Sequence, residues 1–155
     1  MTPGTGAYTS GVVLEWCRPW ELVQRDGYTY LDVRSIPEFE AGHPEGAVNV
    51  PLLHLNPASR QMVPNADFLG VVQRNFAQDT RLVVGCGSGQ RSLRAAEVLQ
   101  QQGYSSVCNV EGGFHGARDP VGRVIAPGWL DYDLPVSEQS GEGVSYESLA
   151  ARGKQ

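Results

Sequence analysis

The residues best suited to chemistry lie together in Leu82-Val-Val-Gly-Cys86-Gly87-Ser88-Gly89-Gln90-Arg91-Ser92. An apolar run ends on a cysteine, a glycine-rich turn follows, and a helix-forming stretch begins at Gln90. Each part suits a sulfur anion. The run reads as a buried strand, which sets Cys86 at the carboxyl end of a parallel sheet, where open α/β folds bind their ligands. Gly87 and Gly89 permit backbone angles that turn successive N–H groups inward, and such a concavity holds an anion. The helix adds unpaired N–H groups and the positive end of its dipole. Surroundings of this kind favour a thiolate over a thiol. Arg91 supplies a fixed positive charge for an anionic substrate. A cysteine closing a buried strand is often only a small core residue. Two alternating glycines, an arginine and a helix after it argue against that here.

Other residues carry weaker signals. Asp32 and Arg34 end a second apolar run, Tyr28-Thr-Tyr-Leu-Asp32, at the same sheet edge. Asp32 orients the loop or Arg34 meets an anionic donor on one reading; on the plainer and preferred one they form a local ion pair. His43 follows a glycine and reads as a packing or capping residue rather than a base, and His54 and His115 have no partners in sequence. Cys108 lies inside an apolar run and reads as inert core. Cys17 either resolves a disulfide with the reactive sulfur or packs beside Trp16 and Trp20, the latter being preferred. Trp129 and Tyr132 shield the site or pack on the surface.

These residues need a scaffold, and the hydrophobic pattern describes one. Residues 11–14, 28–32, 47–50, 82–85 and 106–110 read as five short buried strands. Helices are expected between them at 19–25, 66–76 with Asn65 as N-cap, and 90–102 with Gly103 as the stop. Alternating strands and helices imply an α/β fold, a mainly parallel sheet covered on both faces. With 155 residues, 41% of them hydrophobic and 19% charged, the chain suits one packed domain. That domain spans 1–136, leaving 137–155 as a polar and loosely ordered tail, with a short helix near 145–151.

Composition also excludes functions. A net charge of −5 without a basic stripe speaks against nucleic-acid binding. Three widely spaced cysteines make neither a metal-ligand cluster nor a disulfide framework. The N-terminal MTPGTGAYTSG does not read as a signal peptide, and no apolar run approaches the roughly 20 residues of a membrane span. A soluble, cytoplasmic protein is the expectation.

The segment from Cys86 resembles the active-site loop of the rhodaneses, in which a cysteine opens a six-residue loop whose amides surround its sulfur. Tyr30-Leu-Asp32-Val-Arg34-Ser35, Glu38-Phe39 and Gly42-His43-Pro-Glu-Gly46-Ala47-Val-Asn-Val-Pro51 look like that family's first signature. Asn109-Val-Glu-Gly112-Gly113-Phe looks like its closing one. The likeness covers about residues 20–118. It departs at Pro44-Glu45, where the family usually has an apolar residue before proline, and at 119–132, which looks like an inserted loop.

The resemblance implies a rhodanese-like fold and sulfur transfer from a donor such as thiosulfate to cyanide or a thiol through a persulfide on Cys86. It implies that Gly87, Ser88, Gly89, Gln90, Arg91 and Ser92 bind the substrate, with no metal or organic cofactor. Two alternatives remain. One is a non-enzymatic module that binds sulfane sulfur or a partner. The other is a cysteine-based phosphatase or arsenate reductase, but those enzymes place one residue more between cysteine and arginine than the four here.

Overall fold

The computed structural model describes residues 13–14 and 19–152. In chain order the first elements are β1 (Val13–Leu14), α1 (Pro19–Arg25), β2 (Thr29–Asp32), α2 (Ile36–Ala41), β3 (His43–Pro44) and β4 (Val48–Asn49). The middle of the chain forms β5 (Leu53–Leu55), β6 (Met62–Pro64), α3 (Phe68–Asn75), β7 (Arg81–Gly85), α4 (Gln90–Gln101) and β8 (Ser106–Val110). It closes with β9 (Ala117–Arg118), β10 (Val124–Ala126), a 3-10 turn at Trp129–Tyr132, β11 (Val136–Ser137) and α5 (Tyr146–Ala151). All five expected strands join one sheet in the order β1-β8-β7-β2-β4, and every neighbouring pair is parallel.

The side chains of β7 alternate between two cores, as the pleat requires. Leu82 and Val84 join Leu31, Phe68, Val71, Val72, Ala96 and Leu99 on the face covered by α3, α4 and α5. Val83 joins Leu22, Tyr30, Phe39, Phe114 and Trp129 on the other face. Burial on both faces explains why the strands read as continuous apolar runs rather than as alternation. Among the described residues no helix is long and apolar enough to cross a membrane.

Beyond the three small two-stranded sheets, which were not expected, the structure differs from the sequence reading at several places. The helix expected from Ala66 begins at Phe68 with Asp67 as its N-cap. Asn65 instead braces the preceding turn, accepting from the Asp67 N–H at 3.0 Å and donating to the Pro51 carbonyl at 2.9 Å. Helix α2 was not anticipated, though Ser35-x-x-Glu38 is a capping-box pattern. The Ser35 N–H and hydroxyl both donate to Glu38 Oε1, at 3.2 and 2.8 Å. The short helix expected near 145–151 is α5, but it is docked where a loose tail was expected, its Leu149 at 1% exposure in the core beside α3 and α4. The insert 119–132 folds back on the body, and Trp129 is core rather than a shield or surface residue. Its ring sits edge-on to Trp20 and Tyr30, 5.9 and 5.6 Å away, and its indole donates to the Pro135 carbonyl at 2.7 Å. Cys17 and Trp16 lie outside the described residues.

Candidate active site

Strand β7 is the central strand, and it delivers Cys86 to the carboxyl edge of the sheet. The residue before it must be small, because the hydroxyl of Tyr30 fills the place a side chain on Gly85 would take. Cys86 itself is 1% exposed. Its Sγ accepts the backbone N–H of Gly89 at 3.1 Å and that of Ser92 at 3.3 Å. The turn that brings these amides round needs Gly89 in the left-handed region, at φ +106°, with its α-carbon pressed against the Glu111 carbonyl. No other residue fits both conditions. The Ser92 hydroxyl, fully buried, ties the first turn of α4 back to the Gly89 carbonyl at 3.2 Å.

A second segment clamps the loop from outside. The N–H groups of Phe114 and His115 donate to the carbonyls of Cys86 and Gly87, at 2.7 and 2.9 Å. The insert supports this clamp, since the N–H groups of Trp129 and Leu130 donate to the carbonyls of Gly113 and Phe114. Its role is therefore to back the wall of the site. A cleft of about 580 Å³ opens beside the loop between the β5–β6 hairpin and α4, with Gln90 and Arg91 on its edge.

Asp32 and Arg34 form the local ion pair expected of them, and both are 1% exposed. Arg34 Nε lies 3.0 Å from Asp32 Oδ1, and Nη2 lies 2.7 Å from Oδ2 and 2.8 Å from the Gly42 carbonyl. The guanidinium also covers the Phe114 ring at 4.4 Å from its centroid. The pair thus holds the clamp rather than the loop itself. His43 is buried, stacked on Phe39 at 3.6 Å with Nδ1 2.7 Å from the Phe39 carbonyl, a packing residue as expected.

Arg91 is not free. It makes a two-pronged pair with Glu38, Nη1 to Oε1 at 2.8 Å and Nη2 to Oε2 at 3.0 Å. Burial opposes the charged form of Glu38, but bonds from Arg91 and Ser35 outweigh it and hold its pKa at about 2, against an ordinary 4.5. A carboxyl with a depressed folded pKa stabilises the fold above its unfolded pKa and loses that contribution as pH falls through the folded one. The window here runs from pH 4.5 down to about 2. Glu38→Gln should therefore flatten the acid limb of stability against pH across that window while changing its neutral shape little. Urea midpoints measured every half unit check this, and parallel limbs for both proteins would show that the pair contributes nothing.

The side chains of Ser88 and Gln90 are exposed, so of the expected binding residues only Gly89 and Ser92 donate to Sγ directly. Three residues at the site carry no site role in the sequence reading: Glu38 and Phe114, which stand in the two signatures, and His115, which reads as partnerless. A carboxylate in one signature and the phenylalanine closing the other were usable signals for Glu38 and Phe114, and no partner in sequence marks His115. Cys108 is held in a disulfide rather than being a lone core thiol, and Cys86 is the free thiol among the described residues.

Known proteins resemble this chain in sequence and fold. The family model described as Rhodanese-like domain matches residues 20–119. Senescence-associated protein DIN1 of Raphanus sativus is 37% identical over 118 residues, covering 76% of this chain and 56% of that protein. Thiosulfate sulfurtransferase 18 of Arabidopsis thaliana is 36% identical over 120 residues, covering 76% of this chain and 78% of that one. The crystal structure of Rv0390 from M. tuberculosis superposes with a TM-score of 0.62 at 28% identity, over 77% of this chain and 92% of that one. The chain spans little more than half the length of the Raphanus protein.

Proposed function

The chain belongs to the rhodanese family of sulfurtransferases, and we propose that it carries a sulfane sulfur as a persulfide on Cys86, from a donor such as thiosulfate to a nucleophilic acceptor. The observation that supports this most is the pair of backbone N–H groups, from Gly89 and Ser92, aimed at Sγ. Donors of this kind are laid out for charge on sulfur and cost no rearrangement when it forms.

Two half-reactions follow. In the first, the Cys86 thiolate attacks the outer sulfur of thiosulfate, the sulfur–sulfur bond of the donor breaks, and sulfite leaves with the electron pair. The persulfide anion remains in the cradle. Arg91 borders the approach, its Nη2 3.3 Å from where a side chain on Gly87 would begin, with part of its charge spent on Glu38. In the second, an acceptor takes the outer sulfur and the thiolate is restored. Covalent catalysis of this form gives ping-pong kinetics.

The test is incubation with thiosulfate, removal of the excess, and mass spectrometry of the intact chain and of its peptides. One added sulfur on the Cys86 peptide is expected. No adduct, or an adduct on another residue, overturns the reading.

A further inference from the structure

One side chain at the mouth of the loop is left without work by these two half-reactions. The N–H of His115 donates to the Gly87 carbonyl at 2.9 Å, which fixes the residue over the loop. A side chain built on Gly87 would meet the Arg91 guanidinium at 3.3 Å and His115 Cδ2 at 3.7 Å. The two side chains therefore border the same space, next to the residue that follows the nucleophile. The imidazole is set edge-on against Phe114 with centroids 5.0 Å apart, and Phe114 lies under the Arg34 guanidinium. Its side chain is exposed, and neither ring nitrogen is bonded to a protein group among the described residues. A ring held in place with its nitrogens open to an incoming molecule meets the geometric demand on a general base.

The charges around it come from every neighbouring element. Asp32 and Arg34 lie at the end of β2, Glu38 on α2, Cys86 and Arg91 in the loop and first turn of α4, and Arg118 on β9, where it pairs with Asp131. Partial burial, with Arg34 and Arg118 beside it, outweighs the pull of Glu38 and Asp32 and lowers its pKa below the ordinary 6.5. At neutral pH the ring is an acceptor of protons.

We infer that His115 is the general base of the unloading half-reaction, and that the acceptor is a thiol arriving with its proton. The inference rests on the persulfide reading above. His115 takes the thiol proton, and the acceptor sulfur attacks the outer sulfur of the Cys86 persulfide. The bond from that atom to Sγ breaks, and its electron pair returns to Cys86, received by the N–H groups of Gly89 and Ser92. The acceptor leaves as a persulfide anion, and the proton passes from His115 to water. No oxidant or reductant enters.

The experiment loads wild type, His115→Gln and His115→Ala from thiosulfate, confirms the added sulfur by mass, and follows a single discharge into two acceptors. One is 2-mercaptoethanol, protonated at neutral pH, and the other is thionitrobenzoate, an aryl thiolate already ionised there. General-base catalysis by a positioned side chain contributes about a hundredfold or more, and an exposed base should fall near the lower end of that range. Discharge into 2-mercaptoethanol should slow by roughly ten- to a hundredfold in both variants, while discharge into thionitrobenzoate keeps its rate. The wild-type rate with 2-mercaptoethanol should fall below the His115 pKa, and the variants should lack that break. Equal slowing with both acceptors, or no slowing with either, overturns the inference. Failure to load the wild-type chain overturns the persulfide reading instead, so the two failures are distinct.

Discussion

Cys86→Ser is expected to lose sulfur transfer completely while keeping the fold. The serine hydroxyl fits where the thiol sat and can still accept from Gly89 and Ser92, so the loop has no reason to open. A hydroxyl does not ionise near neutral pH, however, and an oxygen cannot take up the donor's outer sulfur to make a persulfide. The variant should therefore unfold at nearly the wild-type temperature, take no added sulfur from thiosulfate, and show no turnover with thiosulfate and cyanide. Cys108→Ser is the control. It removes a disulfide and so costs stability, yet the folded fraction should still load Cys86. A Cys86→Ser protein that turned over near the wild-type rate would end the assignment.

The second large effect is on stability. Arg34→Ala strips the partner from Asp32, which is 1% exposed and then becomes a buried charge with nothing to balance it. Breaking a buried pair in this way costs about 3–5 kcal/mol. The substitution also frees the Gly42 carbonyl and uncovers Phe114. Against a total stability of about 5–15 kcal/mol for an ordinary domain, such a loss lowers the melting temperature by roughly 10 °C or more. Replacing both partners, Asp32→Leu with Arg34→Met, removes the stranded charge as well as the pair. The double variant should be more stable than Arg34→Ala alone, as apolar replacements of buried pairs often are. Denaturant midpoints decide it. A melting temperature for Arg34→Ala within a degree or two of wild type would mean that water or another cation relieves Asp32.

Much of this architecture was legible because its signals are local. Leu82-Val-Val-Gly85 reads as a buried strand by its own composition, and Gly89 is demanded by a turn a few residues long. The candidate nucleophile, Cys86, needed only its neighbours in sequence to be singled out. The partners were harder for the opposite reason. Glu38 and Arg91 stand 53 positions apart, and only the packing of α2 against the loop brings them within 2.8 Å. Asp32 is no partner for Arg91, because Arg34 is two residues from it and claims it first. His115 carries no local mark at all. Its place depends on the return of β8 beside β7 and on the turn through Gly112-Gly113. The docking of α5 was hidden because its attachments are distant in sequence: Leu149, Tyr146 and Ala150 pack on the core, and Arg74 and Asn75 of α3 donate to its last carbonyls.

The burial of Cys86 has a consequence for the traffic around it. A thiol at 1% exposure behind a clamped loop presents little surface to a reagent, so the girth of an incoming molecule should count beside its reactivity. On the proposed function, slender compounds such as thiosulfate, cyanide or a primary thiol should be favoured over a branched alkylating agent or a thiol embedded in a folded surface. If Cys86 stores a sulfur as proposed, the same burial should slow its loss to bulky thiols, so the lifetime of the cargo would be set by access as much as by the strength of the bond that holds it.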